Sequence, residues 1–313
     1  MTYGLANVGG QSVLVRDGRF VPLSNWGESR SLPELLSDWD AVLPRLAQWA
    51  DDAAFAAAAD FDSADIRLPY RPGQIFCTGA NYKKHVVGLI MGDPSMRTAE
   101  HEAVPEDERR AKIEAMMDER AKALPFCFIK LPSCAIGARD TVILPSNVEK
   151  PDWELELGVV IGKRAHRVSA SEAMDYVAGF AVVNDVTARE HIFRRDGSAI
   201  GADWLSGKCF PTFLPFGPMI VPKSQVANPY DLNIKLAVNG KTYQDESTAD
   251  MMASVERQVE YLSHRVVLEA GDVICTGSPY GNGSAFGVFL KDGDVMEGTI
   301  TGLGTQRNPC AAE

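Results

Sequence analysis

The pattern of apolar and polar residues changes near residue 70. From Gln74 onward, short apolar runs are separated by glycine and proline, which predicts many short strands and few helices. Before that point, the pattern predicts strands at residues 12–15 and 20–23. The interruption at residues 68–73 predicts a small N-terminal α+β domain over residues 1–70, and a mainly β, α+β catalytic domain over residues 71–313.

A helix is expected after the two N-terminal strands. Ser31 and Glu34 have the spacing of a capping box, and Pro33 suits a first helical turn. Apolar residues then follow at helical spacing, namely Leu35, Leu36, Trp39, Val42 and Leu46.

Residues 153–161 contain two glutamates one residue apart, within a run of strand composition. Because strand side chains alternate between faces, Glu154 and Glu156 share one face, opposite Leu155. The apolar residues 159–161 favour a strand buried on both faces. Two buried carboxylates require a counter-ion, which can be basic side chains or a divalent metal. The alternative is an amphipathic strand with one face in water.

A third carboxylate, Asp185, follows the apolar run at residues 179–183, where a second strand is expected to end. Together with Glu154 and Glu156, it would form an all-oxygen site. Such a site favours Mg²⁺, Mn²⁺ or Ca²⁺ over zinc.

The segment at residues 86–124 is charged and rich in methionine, and residues 105–123 within it predict an amphipathic helix. We interpret the segment as an insertion that could close over a pocket as a lid. A solvated surface excursion is the alternative.

Composition limits the classes of partner. The formal charge of −11 argues against nucleic acid or an anionic membrane surface as the main partner. The first ten residues lack the basic start and apolar core of a secretory signal, so cytoplasmic residence is expected. The six cysteines lack metal-ligand spacing and fit reduced thiols better than zinc sites or disulfides.

From about residue 74 to residue 309, the chain resembles the fumarylacetoacetate hydrolase family. The resemblance rests on blocks that occur in the family's order: residues 77–85 with Asn81, Tyr82 and His85; residues 128–133 with Lys130; the Glu154-x-Glu156 pair; residues 184–189 with Asp185 and Arg189; Gly207-Lys208; residues 276–279; and residues 302–309. It implies a mixed β-roll or sandwich fold in the catalytic domain.

The resemblance also implies an activity. Glu154, Glu156 and Asp185 would bind a divalent metal, Mg²⁺ or else Mn²⁺ or Ca²⁺, and a small anionic 2-oxo or 1,3-diketo acid would chelate it. Hydrolytic members cleave a carbon–carbon bond beside a ketone, and the cation stabilises the charge that develops. A homodimer is expected on the same ground.

His85 matches the family's water-activating histidine, but its surroundings depart from the family pattern. Many small members carry a glutamate three residues later, where this chain has Gly88. Longer members use a glutamate on a late strand, and Glu297 is the positional equivalent. We therefore expect a His85–Glu297 pair, with Glu100 or Glu102 as substitutes if the inserted segment closes.

Other matched residues are expected to contact substrate or stabilise charge. Lys208 would stabilise an oxyanion, and Arg189 would either clamp a substrate carboxylate or pair with the metal's carboxylates. The remaining expected substrate contacts are Tyr82, Lys130, Thr276, Gly277 and Ser278. Ile192 stands where some members use a glutamine, which suggests a more apolar substrate tail.

The leading hypothesis is a metal-dependent hydrolase of an acylpyruvate or another 1,3-diketo acid, acting in aromatic-compound catabolism. One alternative uses the same metal for decarboxylation, tautomerisation or dehydration of a 2-oxo acid. These reactions need no strong water-activating dyad, and the absence of a glutamate at position 88 leaves room for them. The other alternative is a metal-binding family member without catalysis.

Overall fold

The structure is a computed structural model that describes residues 2–92, 97–193 and 201–313. Its first section contains five strands and two helices: β1 (Tyr3–Val8), β2 (Gln11–Arg16), β3 (Arg19–Pro22), α1 (Leu32–Ser37), α2 (Trp39–Ala50), β4 (Ala59–Asp60) and β5 (Ile66–Arg67). The two predicted strands are present as β2 and β3. The capping box of Ser31 and Glu34 forms, but the expected single helix divides at Asp38, whose backbone leaves the helical region at φ −123° and ψ 35°.

The next section begins with β6 (Ile75–Gly79) and continues into three helices, α3 (Lys83–Gly92), α4 (Ala99–Glu102) and α5 (Glu106–Arg120). The predicted amphipathic helix is therefore α5. Its buried residues Ile113 and Met117 pack against Val86 and Ile90 of α3, so this part of the inserted segment is attached to the helix that carries His85.

The remaining elements are mostly strands. They are β7 (Phe126–Lys130), β8 (Ala135–Gly137), β9 (Val142–Leu144), β10 (Pro151–Asp152), β11 (Leu155–Ile161), β12 (Val177–Asn184), β13 (Thr187–Ala188), α6 (Arg189–Ile192), α7 (Trp204–Lys208), β14 (Leu214–Phe216), β15 (Met219–Pro222), β16 (Asn233–Val238), β17 (Lys241–Ser247), α8 (Val255–Ser263), β18 (Val273–Cys275), β19 (Val295–Ile300) and β20 (Gly304–Ala312).

The strands form a large mixed sheet and two smaller sheets. The main path of the large sheet is β4-β3-β2-β1-β15-β12-β11-β18-β6-β7, and a five-stranded sheet has the order β17-β16-β19-β20-β9. Strands β10 and β13 form the third sheet. Because β1 pairs with β15, the N-terminal strands continue the sheet that contains β11 and β12. The domain boundary at residue 70 stays a prediction.

Strand β11 is buried along its whole length. Its partner β12 runs antiparallel to it, with Leu155 opposite Asn184 and Leu157 opposite Val182. Leu155 and Leu157 join a fully buried core cluster with residues of the five-stranded sheet, including Leu236. The glutamates that alternate with these leucines must therefore face away from that core, as the strand period predicts. Among the described helices, none is long and apolar enough to cross a membrane.

Candidate metal centre and active site

Three buried carboxylates meet where β11 begins and β12 ends. Each of Glu154, Glu156 and Asp185 offers an oxygen, and these oxygens lie within 4.8 Å of one another. The antiparallel register causes this meeting, because Leu155 pairs with Asn184 and the Asp185 N–H donates to the Glu154 carbonyl at 2.8 Å. The structure thus brings together the three predicted metal ligands.

Two lysines approach Asp185 from neighbouring elements. Lys130, from the end of β7, places its Nζ 2.7 Å from Asp185 Oδ1 and donates to the Val186 carbonyl at 3.0 Å. Lys208, from the end of α7, pairs with Asp185 Oδ2 and lies 3.3 Å from Glu154 Oε2. Both ammonium groups are almost fully buried, so they hold the carboxylates in place rather than meeting solvent.

Arg189 pairs with Oε1 of Glu154, the carboxylate oxygen opposite the one that Lys208 approaches. Its Nη2 lies 2.6 Å from Glu154 Oε1, and its Nε donates to Asp152 Oδ2 at 2.7 Å. Asp152 is fully buried and also accepts hydrogen bonds from the Gly283 and Ser284 N–H groups. Of the two roles expected for Arg189, the structure shows the ion pair with site carboxylates.

The electrostatics of the site favour a bound cation. Among the described residues, four carboxylates (Asp152, Glu154, Glu156 and Asp185) face three cations (Lys130, Arg189 and Lys208). Burial, with repulsion from Asp185 and Glu154, raises the pKa of Glu156 well above its usual range. Burial also acts to raise the pKa of Glu154. Attraction to the charges of Arg189 and Lys208 outweighs this effect and lowers the pKa of Glu154.

The same donor set fits a hard divalent ion. Asp185 Oδ1 is buried and accepts no hydrogen bond of good geometry within the described chain. Carboxylate oxygens are the ligands that Mg²⁺, Mn²⁺ and Ca²⁺ prefer. A divalent ion would replace the proton that the raised pKa of Glu156 otherwise demands.

A glycine turn fixes Glu156. The Gly277 N–H donates to Glu156 Oε2 at 2.7 Å. Gly277 has φ +99°, and a Cβ there would lie 2.8 Å from Asn81 Cβ and from the Thr78 carbonyl, so the turn requires glycine. Gly277, expected to contact substrate, thus contacts a metal-ligand candidate.

The neighbours of Gly277 bond mainly to protein groups. Thr276 Oγ1 donates to the Leu157 carbonyl at 2.9 Å, and Ser278 Oγ accepts from Gln244 Nε2 at 3.0 Å. Tyr82 is fully buried, which raises its pKa. Substrate contact by Tyr82, Lys130, Thr276 and Ser278 stays a prediction.

His85 lies on α3 beside the charged cluster and is 7% exposed. Burial lowers its pKa to about 4, an effect that Glu154 opposes and that Arg189 and Lys208 reinforce. The imidazole is therefore neutral near pH 7 and able to accept a proton. It makes no hydrogen bond to a carboxylate within the part of the chain that the structure describes.

The structure does not form the expected His85–Glu297 pair. Glu297 lies on β19 with its side chain 47% exposed, and its Oε1 is 3.4 Å from Arg307 Nε. The adjacent Gly298 packs directly against Leu155, and alternation along a strand directs Glu297 to the opposite, solvent side. The substitutes also lie elsewhere: Glu100 is exposed, and Glu102 pairs with Arg97 and Arg109.

The ring of Tyr280 packs against α3 at Gly88, three residues after His85. A Cβ at position 88 would lie 2.7 Å from Cε2 of Tyr280, so the tyrosine ring packs directly on the helix backbone. Residues 85 and 88 are three apart and share one helix face. The glycine therefore admits a tyrosine where many small family members are expected to have a glutamate.

A cleft of about 970 Å³ lies beside this region, between α3, α5, β17 and the loop at residues 280–285. Gly88 and Tyr280 line the cleft, whereas His85 and the three carboxylates do not. The chemistry is assigned to the carboxylate cluster because its charges and contacts, rather than the volume of the cleft, identify it.

Sequence reasoning missed two residues that support the site. Asp152 fixes Arg189, and Thr187 donates its hydroxyl to Glu154 Oε1 at 3.1 Å. Asp152 lies two residues before Glu154 and Thr187 two residues after Asp185, so their proximity to the ligands along the chain was the available signal. Ile192 packs against Gly207, because a Cβ added at Gly207 would lie 2.5 Å from Ile192 Cγ1.

Comparison with known proteins agrees with this geometry. The family model described as fumarylacetoacetate (FAA) hydrolase C-terminal matches residues 74–311. Oxaloacetate tautomerase FAHD2A, mitochondrial, from Bos taurus is 37% identical over 236 residues, which cover 75% of this chain and 65% of that protein. The chain thus aligns with slightly less than two thirds of that relative.

Two solved structures resemble the whole chain. A probable 2-hydroxyhepta-2,4-diene-1,7-dioate isomerase from Mycobacterium abscessus is 29% identical with a TM-score of 0.77, covering 100% of this chain and 99% of the other. Fumarylacetoacetate hydrolase from Exiguobacterium antarcticum is 26% identical with a TM-score of 0.74 and full coverage of both chains. These likenesses confirm the predicted fold. The match to residues 74–311 shows that the chain belongs to the fumarylacetoacetate hydrolase family.

Proposed function

We propose that this protein is a divalent-metal-dependent enzyme that interconverts the keto and enol forms of a small 2-oxo dicarboxylic acid, with oxaloacetate as the first candidate. The observation that carries the proposal is a buried, neutral His85 beside three clustered carboxylates, without a carboxylate partner among the described residues. The names of two similar proteins, an oxaloacetate tautomerase and a probable isomerase, support the same class of reaction.

Glu154, Glu156 and Asp185 would hold the metal. When bound, a divalent cation supplies a Lewis acid that polarises the carbonyl of a 2-oxo acid. Mg²⁺, Mn²⁺ and Ca²⁺ all suit the oxygen ligands.

His85 would carry the proton. Tautomerisation removes a proton from one atom of the substrate and returns one to another, so a single base that alternates between neutral and protonated forms is sufficient. A pKa of about 4 keeps His85 neutral before each turnover. Arg189 and Lys208 lie close enough to disfavour a lasting positive charge on the ring, which promotes return of the proton.

Lys130 and Lys208 would keep the ligand set ionised and aligned. Their ammonium groups contact both oxygens of Asp185, so Asp185 cannot rotate freely. Since ligand groups held by a rigid outer shell bind metal more tightly, both lysines act on the metal centre as positioning residues.

Hydrolysis of an acylpyruvate or another 1,3-diketo acid, as in aromatic-compound catabolism, is the second candidate. The ordered sequence blocks around His85, Lys208 and residues 276–279 favour it, and a fumarylacetoacetate hydrolase is among the similar structures. Water activation benefits from an acceptor that orients the base. The exposed position of Glu297 removes the acceptor expected for that role.

The test compares substrates on one enzyme preparation. Protein stripped with chelator and reloaded with Mn²⁺ or Mg²⁺ is given enol-enriched oxaloacetate and a panel of acylpyruvates, and the enol absorbance is followed with product analysis. We expect accelerated loss of oxaloacetate enol without pyruvate formation, and no cleavage of the acylpyruvates. Pyruvate and CO₂ from oxaloacetate would indicate a decarboxylase, and acid plus pyruvate from an acylpyruvate would indicate the hydrolase.

His85→Gln should abolish the acceleration, and His264→Gln is its matched control because His264 is exposed on the surface. Metal binding without turnover of any 2-oxo acid would contradict both enzymatic proposals. The homodimer and the cytoplasmic residence expected from the sequence stay predictions, and the bovine relative is named as mitochondrial.

A further inference from the structure

Two cysteines lie directly behind the lysines of the site. Cys209 follows Lys208 at the end of α7, and Cys134 lies in the turn after β7, the strand that ends at Lys130. Each thiol reaches the segment that carries the other. Cys134 Sγ lies 4.0 Å from the Lys208 carbonyl oxygen, and Cys209 Sγ lies 3.8 Å from the Ile129 carbonyl oxygen. The pair thus connects the two segments that hold Asp185.

The surroundings of Cys209 favour its thiolate form. The neighbouring Cys134 thiol lowers the pKa of Cys209 against the opposing effect of burial, and the Leu131 N–H and the Lys130 ammonium also lower it. Cys209 is partly exposed, whereas Cys134 is fully buried. A partly exposed thiolate beside a second thiol is the arrangement of a redox-reactive cysteine with a resolving partner.

A second cysteine pair provides a contrast within the same molecule. Cys77 and Cys275 are opposite each other on the parallel strands β6 and β18, and both are buried. Burial raises the pKa of Cys77 well above its usual range. Because both thiols lack solvent access, this pair should not react.

We propose that Cys134 and Cys209 form a peroxide-sensitive modification site whose disulfide weakens metal binding at Glu154, Glu156 and Asp185. The coupling to metal rests on the proposed function, whereas the thiol chemistry does not.

The reaction is a two-electron oxidation by a hydroperoxide. The Cys209 thiolate attacks one peroxide oxygen and the O–O bond breaks, which gives a sulfenic acid and hydroxide when the oxidant is hydrogen peroxide. The Cys134 sulfur then attacks the sulfenic sulfur, the S–O bond breaks and water leaves as the thiol proton is transferred. In total, the two thiols lose two electrons and two protons, and the peroxide becomes two waters.

The consequence follows from where the two sulfurs are attached. A disulfide requires a sulfur–sulfur distance of about 2.05 Å, so the two sulfurs of these free cysteines must move together. That movement displaces the end of α7 or the turn after β7. Lys208 and Lys130 lie on these segments and contact Asp185. Loss of such outer-shell support typically costs about 10–100-fold in metal affinity.

The experiment uses the full chain, reduced and then treated with hydrogen peroxide. Peptide mass mapping locates disulfides, and Mn²⁺ titration measures affinity before oxidation, after oxidation and after re-reduction with dithiothreitol. We expect a Cys134–Cys209 disulfide and a reversible rise of about 10–100-fold in the Mn²⁺ dissociation constant. Cys134→Ser and Cys209→Ser should each prevent both changes, and Cys77→Ser should prevent neither.

Absence of the disulfide, or a disulfide between Cys77 and Cys275 instead, would overturn the modification site. A Cys134–Cys209 disulfide with unchanged Mn²⁺ affinity would overturn the coupling. If the reduced protein binds no Mn²⁺, the proposed metal centre itself fails, and the mass map alone then decides the thiol chemistry.

Discussion

The two halves of the site are built in different ways. The carboxylate half lies on the antiparallel pair β11 and β12, whose register places Glu154 and Asp185 side by side. Each carboxylate there contacts a buried cation or a backbone N–H. The His85 half depends on a helix that packs on α5 and on the ring of Tyr280. Strand register fixes the first half, whereas packing between distant segments fixes the second.

This contrast suggests a division of labour. Under the proposed function, the charged half holds the metal and the surroundings of the histidine decide the reaction. In this chain those surroundings include the Gly88–Tyr280 contact, and the glutamate on β19 faces solvent.

The largest effect is expected in the carboxylate half, from Asp185→Asn. The change leaves Lys130 and Lys208 buried beside a neutral group, and an unpaired buried charge costs about 3–5 kcal/mol of the free energy of unfolding. Denaturant unfolding should show this loss, and Mn²⁺ titration should show no binding. Asp231→Asn, on the surface, should change neither. Retained Mn²⁺ affinity in Asp185→Asn would remove Asp185 from the ligand set.

His85→Gln should lower turnover without changing metal binding. Loss of a positioned proton carrier lowers kcat by about 10²–10⁴-fold, while Mn²⁺ affinity stays near that of the wild type. The kcat and the Mn²⁺ dissociation constant should be measured on the same preparation. A parallel loss of both would show that His85 supports the metal half instead of moving a proton.

The sequence could predict the carboxylate half because residues close together in the chain determine it. A period of two places Glu154 and Glu156 on one face, and the polar end of the next apolar run supplies Asp185. The partner of His85 could not be found in this way. Which side of β19 faces the core depends on the packing of Gly298 against Leu155, a contact between residues far apart in the chain.

The same limit explains the other differences. The family resemblance identified Lys130 and Lys208. That both lysines pair with Asp185 depends on where β7 and α7 lie in the fold, which the sequence does not show. Strands β2 and β3 were predicted, whereas β1 was not, and the pairing of β1 with β15 has no local signal. Asp152 was missed for a similar reason, since its partners Gly283 and Ser284 are about 130 residues away.

The pH dependence of stability gives a third test, applied to metal-free protein. The pKa of His85 falls from 6.5 to about 4 on folding, so between these pH values the unfolded chain binds more protons than the folded one. The stability that the neutral histidine contributes is present above pH 6.5 and lost as pH falls towards 4, in total about 3 kcal/mol. Denaturant unfolding at several pH values should show a shallower fall for His85→Gln. Equal slopes would contradict the buried, neutral state of His85.

Gly88→Ala tests the contact that distinguishes the histidine half. The added Cβ would meet the Tyr280 ring at 2.7 Å, and such overpacking costs about 1–3 kcal/mol. The double variant with Tyr280→Ala should recover part of that loss, because the clash disappears. If the loss of unfolding free energy in the double variant equals the sum of the losses in the two single variants, the ring does not pack on Gly88.

The smallest effect is expected from Glu297→Gln. An exposed ion pair with Arg307 is worth about 0–1 kcal/mol, and kcat should stay unchanged. If kcat falls as far as in His85→Gln, Glu297 does serve the histidine and the hydrolytic proposal regains its dyad.

The most direct test of the central claim is the anomalous scattering of a crystal grown with Mn²⁺. We expect one peak about 2.0–2.2 Å from an oxygen of each of Glu154, Glu156 and Asp185. A peak elsewhere, or no peak together with Glu156 in its protonated form, would contradict a metal centre at this site.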